Sequence, residues 1–181
     1  SIPLPYIHEG NVEVRVPKIS GYYSYNHQPF VANAPQGKPK SCDQFNQGIY
    51  TQESVREGNN KLLRLTSIGS SNCLDFDLPN LSQDIGYLVT VENRNIEGKS
   101  LLFSVINKTS QRADIETYLP KKSELTTHNS QLTTSYFVIP PMEQYGLGYT
   151  LHFDNISIGR VKTVNDLGKI TVNPIHYRFL I

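Results

Sequence analysis

The sequence predicts an all-β fold, an antiparallel β-sandwich with little helix, on three observations. From about Lys61 onward, short apolar segments recur at regular spacing between turn clusters. Within them apolar and polar residues alternate with a period of two, so one face of each strand points to a core. No segment carries an apolar stripe of helical period over three turns; Thr51–Glu57 offers at most one turn. At 181 residues the chain is long enough to bury a two-layer core as one domain, residues 1–181.

The N-terminal part, residues 1–60, holds two candidate strands, Val12–Val16 and Tyr22–Tyr25. A run from Pro29 to Asn46, with further prolines at 35 and 39, reads as a long surface loop. Lys61–Thr66 is the next strand and ends at the turn cluster Ile68–Asn72. In Cys73–Leu78 the alternation sends Leu74, Phe76 and Leu78 inward and Cys73, Asp75 and Asp77 to the wetter face. Gly86–Asn93 puts Tyr87, Val89 and Val91 on one side; the polar stretch Asn93–Lys99 reads as a hairpin loop. Ser100–Ile106 is apolar on both parities, the pattern of a strand covered on both faces. Ala113–Leu119, Ser135–Ile139, Gly148–Asp154, Lys169–Val172 and Ile175–Leu180 complete the set. Between Phe153 and Ile156 the apolar parity jumps by one residue, which predicts a β-bulge or a sharp bend at Asn155.

Composition narrows the function classes. Apolar residues make up 38% and charged residues only 18%, so neutral polar side chains fill the surface, as in secreted and cell-surface β proteins. The formal charge is +1 with no basic stripe, which excludes nucleic acid as an expected partner. No stretch is long and apolar enough to span a membrane, and the N-terminus Ser1-Ile2-Pro3-Leu4-Pro5 has no signal-peptide character. The expectation is a mature or excised fragment of extracytoplasmic origin. Cys42 and Cys73 are too few for a zinc site and form no CxxC pair. Cys73 on a wet strand face and Cys42 in a loop-like stretch within reach leave two readings open, a disulfide or two unrelated thiols.

The run "GYLVTVENRNIEGKSLLFSVIN", then "ADIETYLP", "YFVIPPMEQYGLGYTLHFDNISIGR" and "ITVNPIHY", resembles a galactose-binding-domain-like jelly roll. This β-sandwich is shared by many carbohydrate-binding modules. The resemblance covers residues 61–181 and extends to extracytoplasmic parts of multi-spanning bacterial membrane proteins, among them candidate glycosyltransferases. It implies an antiparallel jelly-roll β-sandwich with ligands gripped by loops at one rim, carbohydrate as the partner, and a parent chain anchored in a membrane. It requires no cofactor. Related sandwiches often hold a structural Ca²⁺ on carbonyls and one or two carboxylates, so the resemblance allows such an ion here. Fold alone does not fix function.

"GYYSYNHQPF", residues 21–30, is the densest aromatic stretch and supplies the candidate ligand-binding residues Tyr22, Tyr23, Tyr25, Asn26 and His27. Sugar C–H faces stack on flat rings while hydroxyls bond to amide and imidazole groups. Alternation sends Tyr23 and Tyr25 to one face and Tyr22 to the other, so at least one ring is expected in the core. Paired carboxylates for glycoside hydrolysis are available as Asp75 with Asp77 and Asp114 with Glu116, each pair about 7 Å apart along a strand. The same alternation is also how an exposed sheet face stays soluble. His152 and Asp154 share a strand side, but no spacing supplies a third zinc ligand. No GxSxG, P-loop or GxGxxG motif occurs, so no catalytic residues are assigned. The Asn-x-Ser/Thr tripeptides at Asn80, Asn107 and Asn155 read as by-products of composition.

Overall fold

The computed structural model describes residues 6–8, 11–13, 30–32, 40–42, 48–78, 81, 86–121, 132–141 and 146–175. Among them there is no helix. The short strands β1 (Tyr6–His8) and β2 (Asn11–Glu13) pair with each other. β3 (Phe30–Ala32), β4 (Lys40–Ser41), β5 (Ile49–Glu57), β6 (Asn60–Ile68) and β7 (Ser71–Leu78) follow. Then come β8 (Tyr87–Glu97), β9 (Leu102–Asn107), β10 (Arg112–Tyr118), β11 (Thr133–Ile139), β12 (Tyr149–Ile156) and β13 (Lys162–Pro174). They build a five-stranded sheet in the order β10-β9-β12-β7-β4 and a six-stranded sheet in the order β11-β8-β13-β6-β5, with β3 added against β13. Every pairing is antiparallel.

The two sheets face each other across one hydrophobic core. Leu74 and Leu78 of β7, Phe103 and Val105 of β9, and Leu151 and Phe153 of β12 point inward from one side. Leu63 and Leu65 of β6, Val89 and Val91 of β8, and Leu167, Ile170 and Val172 of β13 meet them from the other. Phe103 packs on Phe153, with ring centroids 5.1 Å apart, and across the sandwich on Phe137 of β11 at 4.6 Å. The all-β sandwich and the inward parities of these strands agree with the alternation in the sequence.

Several local expectations are corrected. Thr51–Glu57 is not a helical turn but part of β5, because the chain folds back on β6. Gly58, at the first of two turn residues with φ 58°, supplies the backbone conformation that a type II′ hairpin requires. The stretch Pro29–Asn46 is not wholly a loop. β4 pairs with β7 at the sheet edge, and β3 pairs with β13 beyond the point where β6 leaves it. Unpaired backbone groups on an edge recruit such short segments. Of the predicted strand Val12–Val16, β2 includes Val12 and Glu13; residues 14–16 and all of Tyr22–Tyr25 lie outside the described residues.

The stretch Asn93–Lys99 is not a hairpin loop. β8 continues through Glu97, and only Gly98 and Lys99 turn. Arg94 and Asn95 can be buried because each finds partners, and the Asn93 amide donates to the Pro120 carbonyl at 3.3 Å. Arg94 Nη2 donates to Asp166 Oδ2 at 2.6 Å, and Arg64 Nε donates to Asp166 Oδ1 at 2.7 Å. Glu57 accepts from Arg94 Nη1 at 2.7 Å.

The expected bulge at Asn155 is absent. β12 pairs with β7 in unbroken register from Tyr149 to Ile156, so Asn155 takes the inward slot and Ile156 the outward one. The amide is accommodated by a buried polar seam between the sheets. Asn155 Nδ2 donates to Ser67 Oγ (3.0 Å), Asn165 Nδ2 to Asn155 Oδ1 (2.8 Å) and Asn95 Nδ2 to Asn165 Oδ1 (2.9 Å). Such a seam is tolerated in a core only when its members are satisfied. The register shifts fall elsewhere, between Leu167 and Ile170 and between Val164 and Asn165 in β13, and between Ala113 and Ile115 in β10.

Cys42 and Cys73 are joined by a disulfide, with Cα atoms 5.5 Å apart, which ties the chain just after β4 to β7. Cross-linking residues separated by 31 positions restricts the unfolded chain by about 3–4 kcal/mol in the loop-entropy account. A Cys42→Ser, Cys73→Ser variant is expected to lose about 2–4 kcal/mol of stability, measured by chemical denaturation without reductant. A midpoint equal to the native protein's would show that the bond contributes nothing.

Candidate functional site

The outer face of the five-stranded sheet collects most of the polar residues that the sequence marks as chemically interesting. Register aligns them in cross-strand rows. Tyr118, Leu102, Asp154 and Cys73 form one row, and Glu116, Ser104, His152 and Asp75 the next. Ala113, Ile106, Thr150 and Asp77 form the third. All point away from the core because Phe103, Val105, Leu151 and Phe153 occupy the alternate positions.

The polar groups on this face engage one another. His152 Nδ1 donates to Asp75 Oδ1 at 2.5 Å, while its Nε2 lies 3.5 Å from Cys73 Sγ. Asp77 Oδ1 accepts from Thr150 Oγ1 at 2.8 Å and pairs with the Lys108 ammonium at 2.9 Å. Asp114 accepts from the Asn107 amide at 3.2 Å. A hydrolase needs an acid and a second carboxylate aimed across a cleft at one bond. Here Asp75, Asp77 and Asp114 are instead directed at side-chain donors on neighbouring positions. Cys42, Cys73 and Asp154 offer ligand atoms within 4.8 Å of one another, but both sulfurs are committed to the disulfide and are not thiolates.

At one end of this face a cleft of about 510 Å³ opens between three turns. Gly98, Lys99 and Ser100 come from the β8–β9 turn, and Tyr118 and Lys121 from the end of β10 and the residues after it. Ile156, Ile158, Val161 and Thr163 come from the β12–β13 connection and its flanks. The wall is positioned by buried amides. The Lys99 carbonyl accepts from Asn95 Nδ2 at 3.0 Å and from Asn165 Nδ2 at 2.9 Å. Gly98 has φ 74°, and a Cβ there would sit 3.0 Å from Thr163 Cα, so the turn takes this close path only with glycine.

Tyr118 presents its ring at the mouth of the cleft, 45% exposed, and the Lys99 ammonium stands 4.7 Å from its centroid. At a solvent-exposed position such a contact contributes about 0.5–1 kcal/mol, little enough for a ligand to displace it. Ile158 and Val161 are exposed at 66% and 61%, so the cleft combines an apolar rim, one aromatic ring and two cationic side chains, with Ser100 and Thr163 buried in its wall. That is the composition of a small-ligand site, an apolar surface with a few orienting polar groups.

The candidate residues Tyr22, Tyr23, Tyr25, Asn26 and His27 lie outside the described residues. The structure brings Asp75 and His152 together, places Asp154 one row away beside the disulfide, and keeps Asp114 at the opposite side of the sheet. Asn107 and Asn155 are 7% and 0% exposed and serve as internal hydrogen-bonding amides, not glycan acceptors. Tyr118, Lys99 and Lys121 are not among the residues that the sequence marks as candidates. The signal for Tyr118 was present: it shares the outward parity of Glu116, so an aromatic ring was due on a polar face.

No protein-family model and no curated protein matches the chain. Solved structures do. The chain is similar to the family 11 carbohydrate-binding module from Clostridium thermocellum in complex with a β-1,3-1,4-mixed-linked tetrasaccharide. The TM-score there is 0.52 at 8% identity, over 83% of this chain and 98% of that one. The apo module CBM1 of BiXyn10A gives a TM-score of 0.51 at 9% identity, over 82% and 97%. The enzymatically active domain of tailspike protein 4 from bacteriophage CBA120 gives 0.52 at 8% identity over 81% of this chain, which spans only 19% of the tailspike chain. These likenesses establish the fold: an antiparallel jelly-roll β-sandwich of the kind carried by carbohydrate-binding modules.

Proposed function

We propose that this chain is a non-catalytic carbohydrate-recognition domain that works outside the cytoplasm, in a secreted protein or on a membrane-anchored parent. The observation that carries the reading is Tyr118, an exposed ring at the mouth of a cleft that continues the polar outer face of the five-stranded sheet. A pyranose stacks its C–H face on the ring; further sugars run along the sheet toward the half-buried His152 and Thr150. The shared fold with modules that hold oligosaccharides supports this assignment, and the Cys42–Cys73 disulfide supports an oxidising compartment. Binding without cleavage is favoured because the carboxylates of Asp75, Asp77 and Asp114 serve neighbouring side chains.

The test is calorimetric titration of oligosaccharides that a glycan array selects. Tyr118→Ala is expected to weaken binding about tenfold or more, the 1–2 kcal/mol that an aromatic anchor contributes. Tyr136→Ala removes a 66% exposed ring on the other sheet and leaves affinity unchanged. Silence of the folded protein across the array, or equal affinity for Tyr118→Ala and the native chain, would remove this reading. A protein-interaction or spacer module is the second reading. It is favoured by the edge strand β11, whose outward Tyr136 and Val138 are 66% and 51% exposed.

A further inference from the structure

The charge of the cleft narrows its ligand. Among the described residues that line it, Lys99 and Lys121 are the ionisable cations and none is Asp or Glu. Elsewhere on the domain Lys108 pairs with Asp77 at 2.9 Å and Lys162 with Glu97 at 3.5 Å. Among the described residues neither Lys99 nor Lys121 has such a partner, and the Lys99 ammonium stands over the Tyr118 ring instead. Its backbone is pinned by Asn95 and Asn165, so this cation is presented at the cleft from a fixed turn.

We propose that the cleft takes an anionic sugar, a saccharide bearing a carboxylate or a sulfate ester, with its acidic group held between Lys99 and Lys121. This rests on the carbohydrate reading above and names the ligand class. A neutral sugar that stacks on the face of Tyr118 covered by Lys99 displaces an ammonium and offers it only uncharged hydroxyl acceptors. An acidic sugar gives the displaced ammonium a charge-assisted hydrogen bond, a stronger partner than the ring. Ile156, Ile158 and Val161 place apolar surface beside that ion pair.

The adjoining sheet face has the opposite sign, with Asp154, Glu116 and Asp75 outward. A uniformly acidic polymer laid along it would be repelled. The fitting ligand therefore carries its acid on the residue in the cleft and neutral sugars, or none, over the sheet.

The full chain is tested at low salt against an oligosaccharide ending in a uronic acid, its carboxyl-reduced counterpart, a sulfated oligosaccharide and a neutral β-glucan. The uronate or the sulfated ligand is expected to bind about tenfold or more tighter than the neutral forms, with affinity falling as salt rises. Preference for one of the two acids identifies which group the lysines hold. Lys99→Met with Lys121→Met keeps the aliphatic stems and is expected to bring the acidic and neutral forms to the same affinity, with the thermal midpoint unchanged. Equal affinity of the native chain for acidic and neutral ligands overturns this inference while the carbohydrate reading stands. No binding to any of the four overturns both. An acid preference that survives the double substitution places the anion elsewhere and overturns the assignment to this cleft.

Discussion

Phe103→Ala is expected to destabilise the domain by about 3–5 kcal/mol, the range for truncating a fully buried phenylalanine. Phe103 is fully buried and lies directly opposite Phe153 in the β9–β12 register. It also reaches across the sandwich to Phe137, so it belongs to the contacts that hold one sheet to the other. Truncation removes the ring's burial and leaves a void lined by residues of both sheets, which β-strands locked by hydrogen bonds cannot collapse to fill. Against a typical net stability of about 5–15 kcal/mol, the loss decides whether the domain is folded at physiological temperature. Urea unfolding checks it: the midpoint falls while the denaturant slope is unchanged. Phe103→Leu, which retains most of the volume, is expected to lose clearly less. A loss under 1 kcal/mol for the alanine variant would mean that the inter-sheet contact is dispensable.

Asp166→Asn is expected to cost about 3 kcal/mol or more, although it deletes a charge and almost no volume. Asp166 is fully buried beneath two guanidinium groups, Arg64 and Arg94, which reach it from the neighbouring strands β6 and β8. Together they donate four hydrogen bonds of 2.6–3.0 Å to its two oxygens. Asparagine can accept at only one of those atoms, and its amide group would face a guanidinium as donor to donor. The ion pair of Arg94, itself 7% exposed, with Glu57 offsets little of this, because Glu57 is 51% exposed and screened by water. The companion measurement is Asp77→Ala. Asp77 is 68% exposed, and its removal is expected to change stability by less than about 1 kcal/mol. If both substitutions had similar small effects, burial would not be what gives the Asp166 cluster its weight.

The strand alternation was legible without coordinates. Leu74, Phe76 and Leu78 against Asp75 and Asp77, and Tyr149, Leu151 and Phe153 against Thr150 and His152, each point as their parity says. The errors fall where a polar residue takes an inward position. Asn155 reads as a phase slip because an amide in a core slot looks forbidden. It is permitted by Asn165, Ser67 and Asn95, which approach from strands of the other sheet. Asn93–Lys99 reads as loop for the same reason, its polar run resembling a turn until Asp166 and Asn165 are placed beside it. Of the cleft, Tyr118 was visible as an aromatic on a polar parity. Lys99 and Lys121 were not, because nothing local distinguishes a lysine at a cleft from one on an open surface.

By itself, then, the sequence determined that the chain forms short antiparallel strands with one buried face. That property is local: successive side chains on a strand leave on opposite sides, and burial of one side writes itself directly into the residue pattern. Only the tertiary structure decided which buried polar groups are satisfied, and that Tyr118, Lys99, Lys121 and Ile158 share one cleft. Hydrogen bonds and charge act over a few ångströms in space, between residues that lie tens of positions apart along the chain. The pairing of β9 with β10 and β12 brings those turns together, and no periodicity within a single segment records it.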